Sequence, residues 1–243
     1  MWGIVPAAGS GSRIQPLAFS KELLPVGSRF DNGVERPRAV SEYLVERMVL
    51  GGVTKLCFVI APGKSDIMEY YGRNFSSAHI CYAVQPYPAG LCDALFQAVP
   101  FIGPGEDVII GLPDTIWYPE NALAALEDGA FSFLLFPVEH PEFFDAVVTG
   151  EGGYVQEVRV KSTDPGSSWI WGAFKMPAEV LQDLFSLWCE RNRGDEYFGT
   201  LVNAYLARGN RAKAVRAGLA YTDVGTLHGY REAVRLTESA EKR

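Results

Sequence analysis

The sequence predicts an α/β fold with a mixed, mostly parallel central sheet and helices on both faces. Strand-like and helix-like segments alternate through residues 1–137, which is the pattern of parallel strands joined by helical crossovers. The strand-like segments are runs of consecutive apolar residues, such as KLCFVIA at Lys55–Ala61, and such runs are typical of strands buried on both faces. Many of the 25 glycines and 15 prolines fall at the ends of these segments, where the chain must turn.

The first half of the chain contains the alternating segments. Strands are predicted at Trp2–Ala7, Lys55–Ala61, Ile80–Gln85, Asp107–Ile110 and Phe131–Pro137. Helices are predicted at Val40–Leu50, Ser65–Tyr71, Leu91–Val99 and Pro119–Glu127. Gly51 and Gly72 each follow the last helical residue, as glycines at helix C-termini do, and Pro119 suits the first position of a helix.

The second half has a different pattern, because strand-like segments follow one another without an intervening helix. Strands are predicted at Phe144–Thr149, Tyr154–Val160, Trp169–Met176 and Ala212–Ala217, with a short extended segment at Tyr221–Val224. Helices are predicted at Ala178–Glu190, Glu196–Arg208 and Leu227–Ser239, and the charged end Glu238–Arg243 is expected to fray. No Pro/Ser-rich linker separates the halves, so we expect one domain over residues 1–243, with halves at 1–137 and 138–243.

Composition limits the class of function. Hydrophobic residues make up 48% and charged residues 21% of the 243 residues, as in ordinary globular proteins. The net charge is 22 − 29 = −7, and an acidic surface repels nucleic acid, so no nucleic-acid partner is expected. No apolar run approaches the ~20 residues of a membrane span, and the N-terminus lacks the basic region of a signal peptide. Four cysteines without a C-x-x-C pair favour free thiols in the cytoplasm, and three scattered histidines form no zinc pattern.

The first predicted strand leads into a glycine-rich turn, Ala8-Gly9-Ser10-Gly11-Ser12-Arg13. Glycines allow backbone amides to approach a phosphate closely. The turn does not match the dinucleotide-binding pattern G-x-G-x-x-G, since Ile14 occupies the last position, and no Walker loop occurs. Ligands of open α/β sheets bind at the carboxyl ends of the strands. The segments to examine are therefore residues 8–13, 85–90, 114–117 and 223–225.

A longer stretch, GSGSRIQPLAFSKELLPVG at Gly9–Gly27, resembles the signature of the sugar-1-phosphate nucleotidylyltransferases, or nucleoside-diphosphate-sugar pyrophosphorylases. It is most similar to glucose-1-phosphate thymidylyltransferases and UTP–glucose-1-phosphate uridylyltransferases. The resemblance extends to Val84–Leu91 (VQPYPAGL), to Asp114 and to Tyr221–Thr226 (YTDVGT). It implies a Rossmann-like nucleotide-diphospho-sugar transferase fold, with a nucleotide-binding half at 1–137 and a sugar-phosphate-binding half at 138–243.

The resemblance also implies a reaction and a set of residues. A pyrimidine nucleoside triphosphate, dTTP or UTP, would react with a sugar-1-phosphate to give a nucleoside-diphosphate sugar and pyrophosphate, with Mg²⁺ as cofactor. Arg13 and Lys21 would be catalytic, and Asp114 and Asp223 would bind the metal ion. The implied nucleotide-binding residues are Ala8, Gly9, Ser10, Gly11, Gln85, Pro88 and Gly90. The implied sugar-phosphate-binding residues are Ala146, Lys161, Gly172 and Arg193.

Three departures from the family pattern fall on the sugar side or next to it. The family's Glu-Lys pair reads Val160-Lys161, the glycine of a Y-G-V-V-like stretch reads Ala146, and the G-D-N metal loop reads LPDT at residues 112–115. These departures leave open an acceptor other than glucose-1-phosphate, and the candidates for lining an altered pocket are Trp117, Trp169 and Trp171. A catalytically idle nucleotide-sugar-binding regulator and a cytidylyltransferase acting on a non-sugar phosphate or phosphonate stay open as alternatives. The sequence does not separate dTTP from UTP, or a monomer from a homo-oligomer.

Overall fold

The computed structural model describes residues 1–240; strands alternate with helices in the first half, and the strands between residues 107 and 177 then follow one another without an α-helix. The strands are β1 Trp2–Pro6, β2 Pro25–Asp31, β3 Val34–Ala39, β4 Lys55–Ile60, β5 Asn74–Phe75, β6 Ala78–Val84, β7 Asp107–Gly111, β8 Thr115–Tyr118, β9 Ser132–Pro137, β10 Asp145–Thr149, β11 Val155–Val160, β12 Trp169–Pro177, β13 Lys213–Val215 and β14 Ala220–Asp223. The helices are α1 Val40–Leu50, α2 Ser65–Tyr71, α3 Gly90–Phe96, α4 Ala178–Glu190, α5 Phe198–Ala207 and α6 Leu227–Ala240.

The central sheet is mixed, with a parallel middle. Its main path runs β11-β10-β12-β7-β1-β4-β6-β5, while β9 pairs with β12 and carries β13. β7, β1, β4 and β6 are parallel neighbours, and β12, β10 and β11 are added antiparallel on one side. Two small antiparallel pairs, β2–β3 and β8–β14, lie outside this sheet. The predicted fold class is confirmed.

The sheet separates two layers of core. Along β4, Cys57 and Val59 pack into one apolar cluster, whereas Leu56, Phe58 and Ile60 pack into the other. All five side chains are almost fully buried, as expected of a central strand with helices on both sides. Each such burial contributes about 1.5–3 kcal/mol to folding. In the described residues 1–240, no helix is long and apolar enough to cross a membrane.

The predicted helix at Pro119–Glu127 is wrong. Residues just before it form β8, which pairs with β14 about a hundred residues later. The local sequence carries no sign of that distant partner. Within the range of the predicted helix, the structure has only a short 3-10 turn, Ala122–Ala125. Other predicted elements are found with small shifts at their ends, and α1, α2 and α4 have the predicted bounds. Of the charged end, Glu238–Ala240 is helical, and residues 241–243 lie outside the described part of the chain.

A β-hairpin that was not predicted follows the Ser-Lys-Glu-Leu-Leu segment. β2 and β3 are joined at Asn32-Gly33, whose φ angles of 50° and 80° are those of a tight hairpin turn. The hairpin packs against α6, where the Tyr230 hydroxyl donates a hydrogen bond to the Pro25 carbonyl oxygen at 3.1 Å. The Tyr43 hydroxyl of α1 donates to the Val26 carbonyl oxygen at 2.9 Å. The hairpin thus ties the first and last helices together.

Candidate active site

Two aspartates that are far apart in sequence meet at the carboxyl end of β7. Asp223 ends β14, and the antiparallel register places it opposite Thr115, the first residue of β8. The Val224 amide donates to the Asp114 carbonyl oxygen at 2.8 Å, which fixes the two segments to each other. The structure therefore brings together both predicted metal ligands, and it does so through the small β8–β14 pair.

Lys21 reaches this centre from beneath the glycine-rich loop. Its ammonium group forms an ion pair with Asp114. Gly11 has φ +65°, and a Cβ atom there would lie 2.8 Å from the Lys21 Cδ atom, so the close approach requires glycine. Burial opposes the charge on Lys21, but the neighbouring carboxylates outweigh burial, and the pKa of Lys21 is raised. Burial likewise opposes ionisation of Asp114, yet the charge of Lys21 holds its pKa below the usual value.

Arg13 lies on the open side of the same centre. Its side chain is 65% exposed, and its Nη2 atom lies 3.5 Å from the Asp223 Oδ2 atom. The Gly225 amide donates to the Asp223 Oδ1 atom at 2.5 Å. Burial, followed by the charge of Asp114, raises the pKa of Asp223. The two carboxylates thus repel each other, and the exposed guanidinium, although it lies beside Asp223, can also contact an anion that enters the site.

The donor set suits Mg²⁺ held jointly with phosphate. Mg²⁺ commonly takes one or two carboxylates and completes its shell with phosphate oxygens and water. Asp114 and Asp223 supply two carboxylates, and no cluster of three or more His, Cys, Asp or Glu that would hold an ion alone occurs within residues 1–240. The mutual repulsion of the two carboxylates would be relieved by a divalent cation between them. The residues present therefore fit the expected ion.

A buried ion pair supports the loop and Lys21 from below. Glu22 is fully buried, and the Lys64 ammonium lies 2.8 Å from both of its carboxylate oxygens. The same ammonium donates to the Ala7 carbonyl oxygen at 2.7 Å, at the start of the glycine-rich loop. Sequence reasoning missed Lys64, because its partners are brought to it only by the parallel pairing of β1 and β4. The only local indication of a role for Lys64 is its position shortly after an apolar strand.

Gln85 follows β6 at one end of the cleft, by which we mean the edge of the sheet formed by the ends of β6, β4, β1, β7 and β11. Two hydrogen bonds fix the orientation of its side-chain amide. The side-chain nitrogen donates to the Asp93 carboxylate at 2.7 Å and to the Gly90 carbonyl oxygen at 3.1 Å. Both amide hydrogens are therefore used, and the Oε1 atom is left as an acceptor. Gly90 has φ +87°, and a Cβ atom there would lie 2.7 Å from the Glu196 carbonyl oxygen. The glycine is thus required by the chain itself, and nearby Pro88 is exposed.

Lys161 lies at the other end of the cleft, after β11. Its backbone has φ +43°, and its ammonium lies 4.6 Å from the centre of the Tyr197 ring. The other predicted acceptor-side residues are less open. Ala146 is fully buried, and the space beside Gly172 is filled by the Phe136 and Tyr221 rings.

The remaining predicted residues are Arg193 and the tryptophans considered for the pocket. Arg193 is exposed, and its guanidinium lies 5.5 Å from the centre of the Trp188 ring. Trp117 is wrong as a pocket residue, since it is fully buried against Phe136 in the core. Trp171 is also buried, but its position on β12 places it at the edge of the cleft.

The spatial order of the strands places these residues in a row along one edge of the sheet. From β6 through β4, β1 and β7 to β10 and β11, the strand ends carry Gln85, Lys64, the glycine-rich loop, Asp114 and Lys161 in that order. An amide acceptor lies at one end, a cation–carboxylate centre in the middle and a lysine at the other end. The arrangement is that of an α/β enzyme which handles a nucleotide, its phosphates and a second phosphorylated group.

Comparison with known proteins identifies the family. A family model described as nucleotidyl transferase matches residues 2–240, and the chain belongs to this family of enzymes. It is 27% identical to the glucose-1-phosphate thymidylyltransferase of Neisseria meningitidis, over 99% of this chain and 84% of the relative. It is 26% identical to the UTP–glucose-1-phosphate uridylyltransferase AglF of Haloferax volcanii, over 93% of this chain and 91% of the relative.

Solved structures show the same fold. The UTP-bound UGPase of Acinetobacter baumannii superposes with a TM-score of 0.77 at 21% identity, covering 97% of this chain and 92% of that one. A UDP-glucose pyrophosphorylase complexed with UDP-glucose superposes with a TM-score of 0.78 at 19% identity, covering 100% and 99%. The chain is thus a nucleotidyltransferase with the predicted Rossmann-like architecture.

Proposed function

We propose that this enzyme joins a pyrimidine nucleoside triphosphate, dTTP or UTP, to a sugar-1-phosphate, forming a nucleoside-diphosphate sugar and releasing pyrophosphate. The order of groups along the sheet edge carries the proposal. Gln85 lies where a base would bind, Arg13, Lys21, Asp114 and Asp223 lie where a triphosphate would bind, and Lys161 lies beyond them for a second phosphate. The relatives described as thymidylyl- and uridylyltransferases support the same substrates.

The fixed amide of Gln85 supports a pyrimidine with a donor at N3. Since both amide hydrogens are bound within the protein, the free Oε1 atom can only accept. Uracil and thymine carry N3–H and can donate to it, whereas N3 of cytosine is an acceptor and would face Oε1 without a hydrogen. This disfavours a cytidylyltransferase. The Gln85 amide does not also donate to the base, because Gly90 and Asp93 accept both of its hydrogens.

The residues divide the chemistry between them. An oxygen of the sugar phosphate attacks the α-phosphorus, a new P–O bond forms, and the bond to pyrophosphate breaks. The amides of Gly9, Ser10 and Gly11 and the guanidinium of Arg13 hold the leaving phosphates, while Lys21 neutralises charge at the centre. Lys161 holds the incoming phosphate, so that the two anions meet in line.

Asp114 and Asp223 would hold Mg²⁺, which when bound supplies positive charge to the phosphates. Lys21 pairs with Asp114 and Arg13 lies beside Asp223, so both cations would stand next to the phosphates that share the ion. The retained set of cations and carboxylates also argues against a catalytically idle regulator.

The free thiols of all four cysteines suit the cytoplasm, where we place the reaction.

The test is a matrix of nucleoside triphosphates against phosphorylated acceptors, with pyrophosphate release as the readout. We expect Mg²⁺-dependent release with dTTP or UTP and a sugar-1-phosphate, and much less with CTP, ATP or GTP. Lys21→Gln should abolish release, whereas Lys213→Gln, which removes an exposed lysine paired with Glu127, should leave it unchanged. Release with purine nucleotides alone, or with none, would refute the proposal.

A further inference from the structure

An acidic residue outside the set discussed above lies at the acceptor end of the cleft. Asp145 begins β10, and the antiparallel register places it directly opposite Val160 of β11. Directly opposed residues of an antiparallel pair project from the same face, with Cβ atoms about 4.5–5.5 Å apart. Asp145 therefore presents a carboxylate at nearly the same place as a side chain at position 160.

The level of Asp145 along the strands places it at the mouth of the site. Ala173 of β12 is opposite Gly111, the last residue of β7, so Trp171 lies just beyond the carboxyl end of β7. Ala146 is opposite Ile170, which puts Asp145 beside Trp171. Asp114 follows the end of β7 by three residues. Asp145 thus belongs to the edge of the sheet that carries the reaction centre.

The surroundings of Asp145 lack a cation in contact with it. Within residues 1–240, no Lys, Arg or His nitrogen lies within 4.0 Å of its carboxylate, although Lys161 is close enough to act on it electrostatically. The buried indole N–H of Trp171 faces it and has no other acceptor in the described chain. Burial raises the pKa of Asp145. A half-buried carboxylate without an ion pair is costly to keep, which points to use by a ligand.

The chain next to Asp145 contacts both Lys161 and Tyr221. The Lys161 amide donates to the Phe144 carbonyl oxygen at 3.1 Å, and the centres of the Phe144 and Tyr221 rings lie 5.9 Å apart. Tyr221 lies two residues before Asp223. A group bound between Lys161 and the reaction centre therefore lies near Asp145. Carboxylate oxygens only accept hydrogen bonds, so they recognise donors such as hydroxyl groups.

We propose that Asp145 is the specificity-determining carboxylate which accepts hydrogen bonds from the hydroxyl groups of the acceptor. This inference rests on the proposed function, since it assigns the acceptor as a hydroxyl-rich sugar phosphate. Val160 packs against Gly199 of α5 and contributes only apolar contact. Of these two opposed residues, only Asp145 on β10 offers a polar side chain to the acceptor.

The test compares a sugar-1-phosphate with inorganic phosphate, which lacks hydroxyl-bearing carbon. Binding is measured by the concentration dependence of ligand-induced thermal stabilisation, which needs no turnover. Asp145→Asn should weaken binding of α-glucose-1-phosphate or the preferred sugar-1-phosphate on the order of 10- to 100-fold, and leave phosphate binding unchanged. In turnover, KM for the acceptor should rise while KM for the nucleotide stays constant. Asp164→Asn, which removes an exposed carboxylate beside Arg159, is the matched control.

A rescue variant separates recognition from a structural role. Asp145→Ala combined with Val160→Glu returns a carboxylate from the opposite strand and should recover part of the acceptor affinity that Asp145→Ala loses. Equal binding by wild type and Asp145→Asn, or a wild type that binds sugar-1-phosphates no better than phosphate, overturns the proposal. Stronger binding of phosphoethanolamine than of any sugar-1-phosphate overturns the hydroxyl assignment. Absence of pyrophosphate release with every substrate pair would refute the proposed function instead, and the binding comparison still decides the role of Asp145.

Discussion

Replacing Lys64 by methionine should destabilise the protein strongly, because it breaks the buried ion pair with Glu22. The Lys64 side chain is only 12% exposed and that of Glu22 only 1%. Removing one partner of a buried pair typically costs about 3–5 kcal/mol, since the other charge is left buried and uncompensated. For a chain of this size each kcal/mol lowers Tm by about 2–4 °C, so a fall of about 6–20 °C is expected.

The loss of stability caused by Lys64→Met should depend on pH. Burial raises the pKa of Glu22 in the folded protein, and without Lys64 the remaining opposition to that rise is smaller. A carboxyl whose folded pKa is raised favours folding while protonated, and this contribution is lost as pH rises from its unfolded value through the folded pKa. The penalty of Lys64→Met should therefore be smaller at pH 5 than at pH 8.

Thermal unfolding followed by circular dichroism at both pH values measures the effect. Lys213→Met, which breaks an exposed pair with Glu127, is the control and should leave Tm unchanged within error. Glu22→Leu combined with Lys64→Met removes both charges and should recover most of the loss. The reasoning is refuted if Lys64→Met is no worse than the Lys213 control, or if the double variant is less stable than Lys64→Met alone.

Three further predictions concern the site and its pH dependence. Asp223→Asn should abolish Mg²⁺-dependent pyrophosphate release, yet in metal-free buffer its Tm should equal or exceed that of wild type, because it removes a carboxylate whose pKa is raised by burial and by the charge of Asp114. Gly225→Ala should lower kcat at least tenfold, because the added Cβ would lie 2.7 Å from the Asp223 Oδ1 atom and 2.9 Å from the Arg13 Nη2 atom. The Lys55 ammonium lowers the pKa of Glu106 to about 2, so its stabilisation should be lost as pH falls from about 4.5 to about 2, and Glu106→Gln should flatten that part of the acid-unfolding curve.

Each of these has a contrary result. Undiminished turnover by Asp223→Asn would remove that residue from the metal site. Gly63→Ala is the matched control, since Gly63, like Gly225, has no positive φ and its added atom would meet nothing within 4 Å; equal kcat in both glycine variants would remove the steric argument. An unchanged acid-unfolding curve for Glu106→Gln would mean that its carboxylate contributes nothing measurable in that range.

Sequence alone predicted the parallel middle of the fold, because its signals are local. Each parallel strand is a short apolar run followed by a turn residue, and β1, β4, β6 and β7 were all found where such runs occur. The same local signal indicated which strand ends carry the candidate site, and Lys21, Asp114 and Asp223 do converge there. Parallel sheet geometry accounts for the position of Asp114 after β7, whereas Asp223 reaches the site through the antiparallel β8–β14 pair.

Features that depend on long-range pairing were not predictable in this way. The segment after Pro119 has the local composition of a helix, and only its pairing partner β14 shows that the chain before it is a strand. The β2–β3 hairpin did carry a local signal in Asn32-Gly33, but its strands are polar and mostly exposed, so no apolar run marked them. Asp145 was overlooked because its significance lies in its cross-strand neighbour, Val160, which the register alone reveals.

The cleft runs across the strands, and this direction has a consequence for how such an enzyme can change. Each part of the cleft is carried by the end of a different strand, with Gln85 after β6 and Lys161 after β11. The buried apolar layers lie further down those strands and do not include these two residues. Under the proposed function, a change at Gln85 would alter the choice of base and a change at Lys161 the choice of acceptor, and neither touches the central charges of Lys21 and Asp114. The two halves of the specificity could then change one at a time.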